Sequence, residues 1–467
     1  MSLQNIKIAY FIGIGGIGMS ALARYFRALG VFVAGYDRTS TVLTRNLVRE
    51  GIPVHYTDSP ELLPEGMNTS NSIVVFTPAV PDDFGEMKIL RERGFDLVKR
   101  AKVLGIICND RNCIAVAGTH GKTTVSTMAA TILYDSKAGC SAILGGISKN
   151  FNSNLLLPAE DKQWVVTEAD EYDRSFLNLT PDIALITSMD ADHLDIYGNI
   201  GELRKSFGEF AMNVKAGGKV IRKLIPETQA LSNPDARFFT YSIVDESADF
   251  SVRNLVMGEG PVFSTFSLHT PIGLIPDIRM SYPGYLNVEN AAGAAAISLL
   301  AGATPDEVRN GLWKYQGVKR RFDLQYAGNN RLYFDDYAHH PEELKAFILS
   351  VRKQYPGRKI TGIFQPHLFS RTLDFSGEFA SSLDLLDTAI VLPIYPAREL
   401  PVPGVTSQII TDRMQSGEKF LLSKDDALTF VADHDIGILL TMGAGDIENM
   451  AAEFVEIMKG KGVCSGK

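Results

Sequence analysis

Residues 113–124 read Cys-Ile-Ala-Val-Ala-Gly-Thr-His-Gly-Lys-Thr-Thr. Ile114 to Ala117 is an apolar run of the length of a buried strand. Gly118 and Gly121 break it, and Lys122-Thr123-Thr124 opens a helical pattern continued by Met128, Ala129 and Ile132. Strand, glycine turn, Lys-Thr and helix is the layout of a phosphate-binding loop. The glycines let backbone N–H groups approach phosphate oxygens, and the helix N-terminus adds the positive end of its dipole. Lys122 then reaches the terminal phosphates, and the Thr123 hydroxyl offers an oxygen to Mg²⁺. The pattern departs from the usual one at Val116, which stands where a first glycine is expected.

Around this stretch the chain is ordinary. At roughly 150 residues per domain, 467 residues predict about three domains. Apolar content of 45% and charged content of 21% are those of a globular protein. No apolar run approaches the roughly 20 residues of a membrane span. The N-terminal strand runs straight into glycines, without a signal-peptide layout. A net charge of −8 with no basic run argues against a nucleic-acid partner. Cys108, Cys113, Cys140 and Cys464 show no CxxC spacing and read as reduced thiols, which predicts a cytoplasmic protein.

A second glycine loop lies about 100 residues upstream. Strand-like Ile6–Ile12 meets Gly13-Ile14-Gly15-Gly16-Ile17-Gly18, a helical pattern follows over Met19–Leu29, and a second strand over Val31–Tyr36 ends at Asp37. This is a βαβ unit with a GxGxxG turn and an acid about 20 residues on, a dinucleotide or nucleotide signal. Ile73–Phe76 is another strand, and Thr77-Pro78-Ala79 at its end is either crevice lining or a plain proline turn. Two nucleotide-type loops in one chain predict two phosphorylated ligands. A simple dehydrogenase has no use for the second loop, nor a simple ATPase for the first.

Downstream, the strand Trp164–Thr167 ends at Glu168-Ala169-Asp170-Glu171-Tyr172-Asp173. Four carboxylates there suit a Mg²⁺ site, and such a cluster should repel itself unless a cation or water screens it. Strand Ile183–Thr187 leads to Met189-Asp190-Ala191-Asp192-His193-Leu194-Asp195, which puts His193 among acids. Asn287 is expected to cap an alanine-rich helix, with Asn290 one turn on. After Gly317–Asp323, strands at Leu332–Phe334, 360–364, 389–394 and Gly437–Thr441 predict a third α/β domain. Its polar clusters, Asp335–Pro341 and Gln365-Pro366-His367, sit at strand ends, where parallel sheets bind ligands. Gly443–Asp446 reads as a plain helix entry.

Taken together, Gly13–Ser20, Gly118–Thr124, Glu168–Phe176, Asp190–Asp195, Asn287–Asn290, Arg320–Phe322, Asp335–Pro341 and Gln365–His367 make the chain resemble the Mur ligases over essentially its whole length. The resemblance implies an α/β fold of three domains. These are a Rossmann-like N-terminal domain (1–107), a central P-loop-type ATPase domain with a mostly parallel sheet (108–317) and a Rossmann-like C-terminal domain (318–467). It implies ATP and Mg²⁺, with UDP-N-acetylmuramate and L-alanine as small-molecule substrates, in a monomer or homodimer. By resemblance, Gly15, Gly16, Ile17, Gly18, Met19, Ser20, Asp37, Thr77 and Ala79 hold the UDP-sugar. Gly118, Thr119, His120, Gly121, Lys122, Thr123, Thr124, Asn290, Arg321 and Asp336 bind ATP. Thr123, Glu168 and His193 are the expected metal ligands, and Lys122, His193 and His339 the expected catalytic residues. Tyr337, His339 and Arg371 are expected at the amino acid.

Two departures from the family stand out. Several Mur ligases carry a carbamylated lysine 15 residues after the histidine matching His193; here that position is Gly208, and Lys205 is out of register. Many L-alanine-adding relatives show Arg-x-x-Arg after the Gln-Pro-His motif, but here the stretch is Leu368-Phe369-Ser370-Arg371. Either another group fills the gap, or the pocket is relaxed and admits glycine or serine. A related ligase that recycles a whole tripeptide is the nearest enzyme alternative, and a nucleotide-sensing protein without catalysis is the alternative of another class.

Overall fold

The structure, a computed structural model, describes residue 3 and residues 5–158, 164–191, 194–260, 262–397, 399–415 and 417–460. It contains three mostly parallel sheets of five, ten and six strands. The first sheet runs Val54–His55, Phe32–Tyr36, Ile8–Ile12, Ser72–Phe76, Leu97–Lys99, and every pair is parallel. Ile8–Ile12 is apolar throughout because both its faces are covered. Ala9 and Phe11 enter one core cluster, Tyr10 and Ile12 another. The order reverses at Ile8–Ile12, so the glycine loop that follows it opens at a topological switch point.

The second sheet is built around Asn112–Ala117. Trp164–Glu168 and then Cys140–Ser148 lie on one side, Ile183–Ile186 and then Lys219–Lys223 on the other, all parallel. Ser153–Leu156 closes one edge as an antiparallel hairpin with Cys140–Ser148, and the sheet continues on the other side from Arg237–Ser242. The third sheet runs Asp323–Gly328, Arg331–Asp336, Ile438–Met442, Ile360–Phe364, Thr388–Val391, Lys419–Leu421. Only its first pair is antiparallel.

By compactness the chain forms two units, Met1–Asn254 with Phe266–Ile278 and Glu289–Tyr315, and Leu255–Thr265 with Arg279–Val288 and Gln316–Lys467. Both glycine loops lie in the first. The helix Arg100–Asn109 runs through the expected boundary at 107/108 without a break. Asn287 does not cap its helix as expected. The helix Tyr285–Leu300 has already begun, and the Asn287 amide donates back to the Pro283 carbonyl at 2.7 Å. Cys108, Cys113 and Cys140 are buried free thiols. Among the described residues, no helix is long and apolar enough to cross a membrane.

Candidate active site

The ends of three adjacent parallel strands meet at the phosphate loop. Val116 is in register with Glu168, and Ala117 with Ile186. The chain leaves Ala117 through Gly118 at φ 129° and Gly121 at φ 82°, a region that side chains disfavour. A Cβ on Gly118 would also collide with the Thr187 hydroxyl. Gly121 caps the helix Lys122–Tyr134 without a side-chain hydrogen bond. Its first N–H groups are therefore left uncapped by a side chain, an arrangement that suits an anion. Thr119 Oγ1 lies 2.8 Å from Ser188 Oγ, and His120 N–H donates to the same Ser188 oxygen at 3.2 Å. Thr187 donates to the His120 carbonyl, and Asp190 N–H donates to Thr119 Oγ1 at 3.2 Å. These bonds fasten the loop to segment 187–190. A Cβ on Gly121 would come 2.9 Å from Asn290 Oδ1, so Asn290 stands beside the loop. His120 Nδ1 is buried with no hydrogen-bond partner among the described residues.

Cations of the chain itself screen most of the acidic stretch. Arg100 Nη2 lies 3.4 Å from Asp170 Oδ2, Lys122 Nζ donates to both Glu171 oxygens at 2.8 and 2.9 Å, and Lys99 pairs with Asp173 at 2.8 Å. Asp173 and Arg174 adopt left-handed backbone at φ 52° and 53°. Glu168 is the exception. It accepts the Thr123 hydroxyl at 2.8 Å and, among the described residues, pairs with no lysine or arginine. A Cβ at Gly145 would collide with its carboxylate, so the glycine makes room for it. His193 lies outside the described residues. Lys205 is exposed on the helix Ile200–Met212, 3.8 Å from Glu202.

Lys122 is nearly enclosed and Glu171 fully buried. Burial alone would push the ammonium down, but Glu171, Asp170 and Glu168 together hold it above the usual lysine range. Burial pushes the Glu171 carboxyl up against the pull of Lys122.

At the first loop, Gly13 takes φ 86° and donates to the Tyr36 carbonyl at 2.8 Å. A Cβ there would meet Thr77 Cγ2 at 2.5 Å, which puts Thr77 against the loop. Gly15 N–H donates to Asp37 Oδ2 at 2.7 Å. Gly16 caps the helix Ile17–Ala28 without a side-chain bond. Ile17 and Ala79 are exposed. The Met19 and Ser20 side chains turn into the core, where Ser20 Oγ donates to the Ile17 carbonyl and accepts from Asn154 Nδ2 at 3.0 Å. Arg100 lies across Gly18, whose Cβ would come 2.9 Å from Nη1. Behind the same sheet, Tyr10 O–H bonds Glu86 Oε2 at 2.5 Å and lies 2.7 Å from His55 Nε2. Glu86 is fully buried, and burial pushes its carboxyl up to about 7.

In the second unit, both oxygens of Asp336 accept backbone N–H groups, from Phe322 at 2.5 Å and Ala338 at 2.8 Å. Burial raises its carboxyl to about 6, against the pull of Arg321. Asp336 therefore shapes the segments that carry Arg321 and His339. The Arg320 and Arg321 guanidinium carbons lie 5.1 and 5.2 Å from the Tyr337 ring centre. His339 Nδ1 is 3.2 Å from Glu343 Oε2, and its ring is 6.3 Å from that of His367. Leu368 takes φ 69°, a strained value for a side-chain-bearing residue, at the start of the short helix that carries Arg371. Arg371 Nη1 is buried with no hydrogen-bond partner among the described residues. Such an enclosed donor fits a residue that receives a carboxylate.

Sequence reasoning missed Arg100, Asn154, Ser188 and Glu343 as parts of these sites. Glu171 was visible only as one acid among four.

Comparison with known proteins agrees with this architecture. Models of the Mur ligase family match residues 8–112 (Mur ligase family, catalytic domain), 116–298 (Mur ligase middle domain) and 320–445 (Mur ligase, glutamate ligase domain). A UDP-N-acetylmuramate–L-alanine ligase of Phocaeicola vulgatus is 45% identical, over 99% of this chain and 100% of its own. That of Porphyromonas gingivalis is 46% identical over 95% and 97%. The crystal structure of a UDP-N-acetylmuramate–alanine ligase from Thermotoga maritima superposes with a TM-score of 0.79 at 26% identity, covering 97% of this chain and 99% of that one. A murein peptide ligase from Psychrobacter arcticus shares the fold, with a TM-score of 0.70 at 22% identity over 97% and 98%. The chain belongs to the Mur ligase family.

Proposed function

We propose that the chain is an ATP-dependent ligase that joins L-alanine to the lactyl carboxylate of UDP-N-acetylmuramate, releasing ADP and phosphate, in cytoplasmic peptidoglycan precursor synthesis. The observation that carries this reading is the pair of glycine loops of different type in one compact unit. The relatives' names supply the substrates. A carboxylate and an amine do not condense in neutral water. ATP phosphorylates the carboxylate, and the amine attacks the acyl phosphate and displaces phosphate. Both steps gather negative charge at the transferring phosphoryl group, where Lys122 and the helix N–H groups behind Gly121 act.

The oxygens of Thr123 and Glu168 are hard donors held together beside that loop and suit Mg²⁺. Bound there, the ion would neutralise phosphate charge. In the second unit, Arg371 takes the alanine carboxylate, and His339, oriented by Glu343, stands near the amine.

ADP release should require ATP, Mg²⁺, UDP-N-acetylmuramate and L-alanine together. Equal release without the amino acid would leave a plain ATPase, and release with the tripeptide instead of alanine would favour the recycling ligase. Glu168→Gln should raise the Mg²⁺ concentration for half-maximal rate about tenfold. An unchanged titration would remove Glu168 from the metal site.

A further inference from the structure

Lys122 is not a free arm waiting at the mouth of its loop. Its ammonium donates to the Gly118 carbonyl at 2.7 Å and to the two Glu171 oxygens at 2.8 and 2.9 Å, which engages all three of its N–H donors. The Glu171 side chain has no solvent exposure, and that of Lys122 has 13%. The backbone that carries Glu171 is itself fixed. Its carbonyl accepts the Tyr197 hydroxyl at 2.5 Å and the Arg174 N–H at 2.9 Å, and Phe176 N–H holds the neighbouring Asp170 carbonyl at 2.9 Å. A carboxylate held this rigidly sets where the ammonium lies.

We propose that Glu171 is a positioning residue for the phosphate-loop lysine. It anchors the Lys122 ammonium over the Gly118 carbonyl, and releases one N–H to a phosphate oxygen of ATP while it keeps another. The carboxylate then has two opposed effects. It competes with phosphate for the ammonium, which weakens ground-state nucleotide binding. It also fixes the ammonium in one place, which favours phosphoryl transfer, because a catalytic group misplaced by about 1 Å costs about 10²-fold in rate. The inference rests on the reading that Lys122 faces ATP phosphate. A buried pair of this kind also ties the two residues' stabilities together, because removing one partner strands the other's charge.

The test uses the full chain with Mg-ATP, by calorimetry and steady-state kinetics. Glu171→Gln should bind Mg-ATP at least as tightly as the parent chain while kcat falls about tenfold or more, and Glu171→Asp should restore part of kcat. A merely structural residue gives no such split, since it lowers the active fraction without tightening nucleotide binding. Weaker Mg-ATP binding together with lower kcat, or no change in either, overturns the proposal. A second measurement covers the case in which Glu171→Gln folds poorly. Lys122→Met strands the buried carboxylate, so Lys122→Met with Glu171→Gln should melt at a higher temperature than Lys122→Met alone. A double variant that melts no higher overturns the proposal. Lys122→Met also separates the two readings. If it leaves Mg-ATP affinity unchanged, the assignment of Lys122 to ATP fails; if it weakens affinity while Glu171→Gln shows no split, only the role of Glu171 fails.

Discussion

The two glycine loops solve one electrostatic problem in different ways. Each is positive, and each is met by a carboxylate of the chain itself. At the first, Asp37 accepts a loop N–H from Gly15 and stays partly open to solvent. At the second, Glu171 takes the loop's lysine with both oxygens, in full burial. A partly exposed single hydrogen bond is readily exchanged for a ligand. A buried bidentate ion pair can yield one of its hydrogen bonds to a ligand but not both, since breaking it whole leaves charge without solvent. The first loop is therefore built to bind and release, the second to hold one group still while chemistry happens.

The sharpest way to break this comparison is Lys122→Ala. It should lower kcat by at least about 10²-fold, as loss of one preorganised charge does. UDP-N-acetylmuramate affinity should survive, because the other loop is intact. Calorimetry showing both lost together would mean the loops are not independent. Arg371→Ala lies outside both loops and should raise the alanine KM by the equivalent of about 1.5–3 kcal/mol, with both nucleotide KM values unmoved. An unchanged alanine KM would take Arg371 out of the site.

Glu86 sharpens the comparison from another side. It is buried like Glu171, but its hydrogen bonds come from the Tyr10 hydroxyl and the Ser59 N–H rather than from a lysine. The folded chain keeps its proton to about pH 7, whereas an ordinary glutamate releases it near 4.5. Its stabilising contribution is therefore full below 4.5 and is lost as pH rises through 7. Glu86→Gln should remove about 1–3 kcal/mol of that pH dependence. Melting curves at pH 5 and 7.5 with the same difference in both proteins would contradict it. The smallest effect is expected of Asp37→Ala. It should raise the KM for UDP-N-acetylmuramate by about 1 kcal/mol equivalent and leave that for ATP alone. A lower KM would make Asp37 only a brace for the loop.

Local pattern carried much of this architecture. Cys113–Ala117 and Ile8–Ile12 are apolar because both faces of each strand are covered, and each ends at glycines that a turn of positive φ requires. Glu168 was readable because it ends a strand beside the loop. What stayed hidden depends on pairs far apart in the chain. Nothing near Glu171 shows that it meets Lys122, 49 positions away, and nothing in Arg100 shows that it will lie across Gly18. The cations that screen the acidic stretch were hidden for the same reason, since they come from elsewhere in the chain. Asn287 was misread because the helix begins at Tyr285, two residues before the apparent cap.

Asn154 has a mechanical consequence. From the hairpin strand Ser153–Leu156 its amide donates to the Ile17 carbonyl at 2.7 Å and to Ser20 Oγ, while its oxygen accepts from Arg24. All three partners belong to the first two turns of the helix behind the first glycine loop, and Asn154 is fully buried. Opening that helix end therefore strands a buried amide in the hairpin, and fraying the hairpin removes the donor to Ser20 Oγ and to the Ile17 carbonyl. Segments bound in this way open as one cooperative block in hydrogen exchange. Amides of the helix's second turn and of the hairpin should then share one exchange rate, although Ser20 and Asn154 lie 134 positions apart.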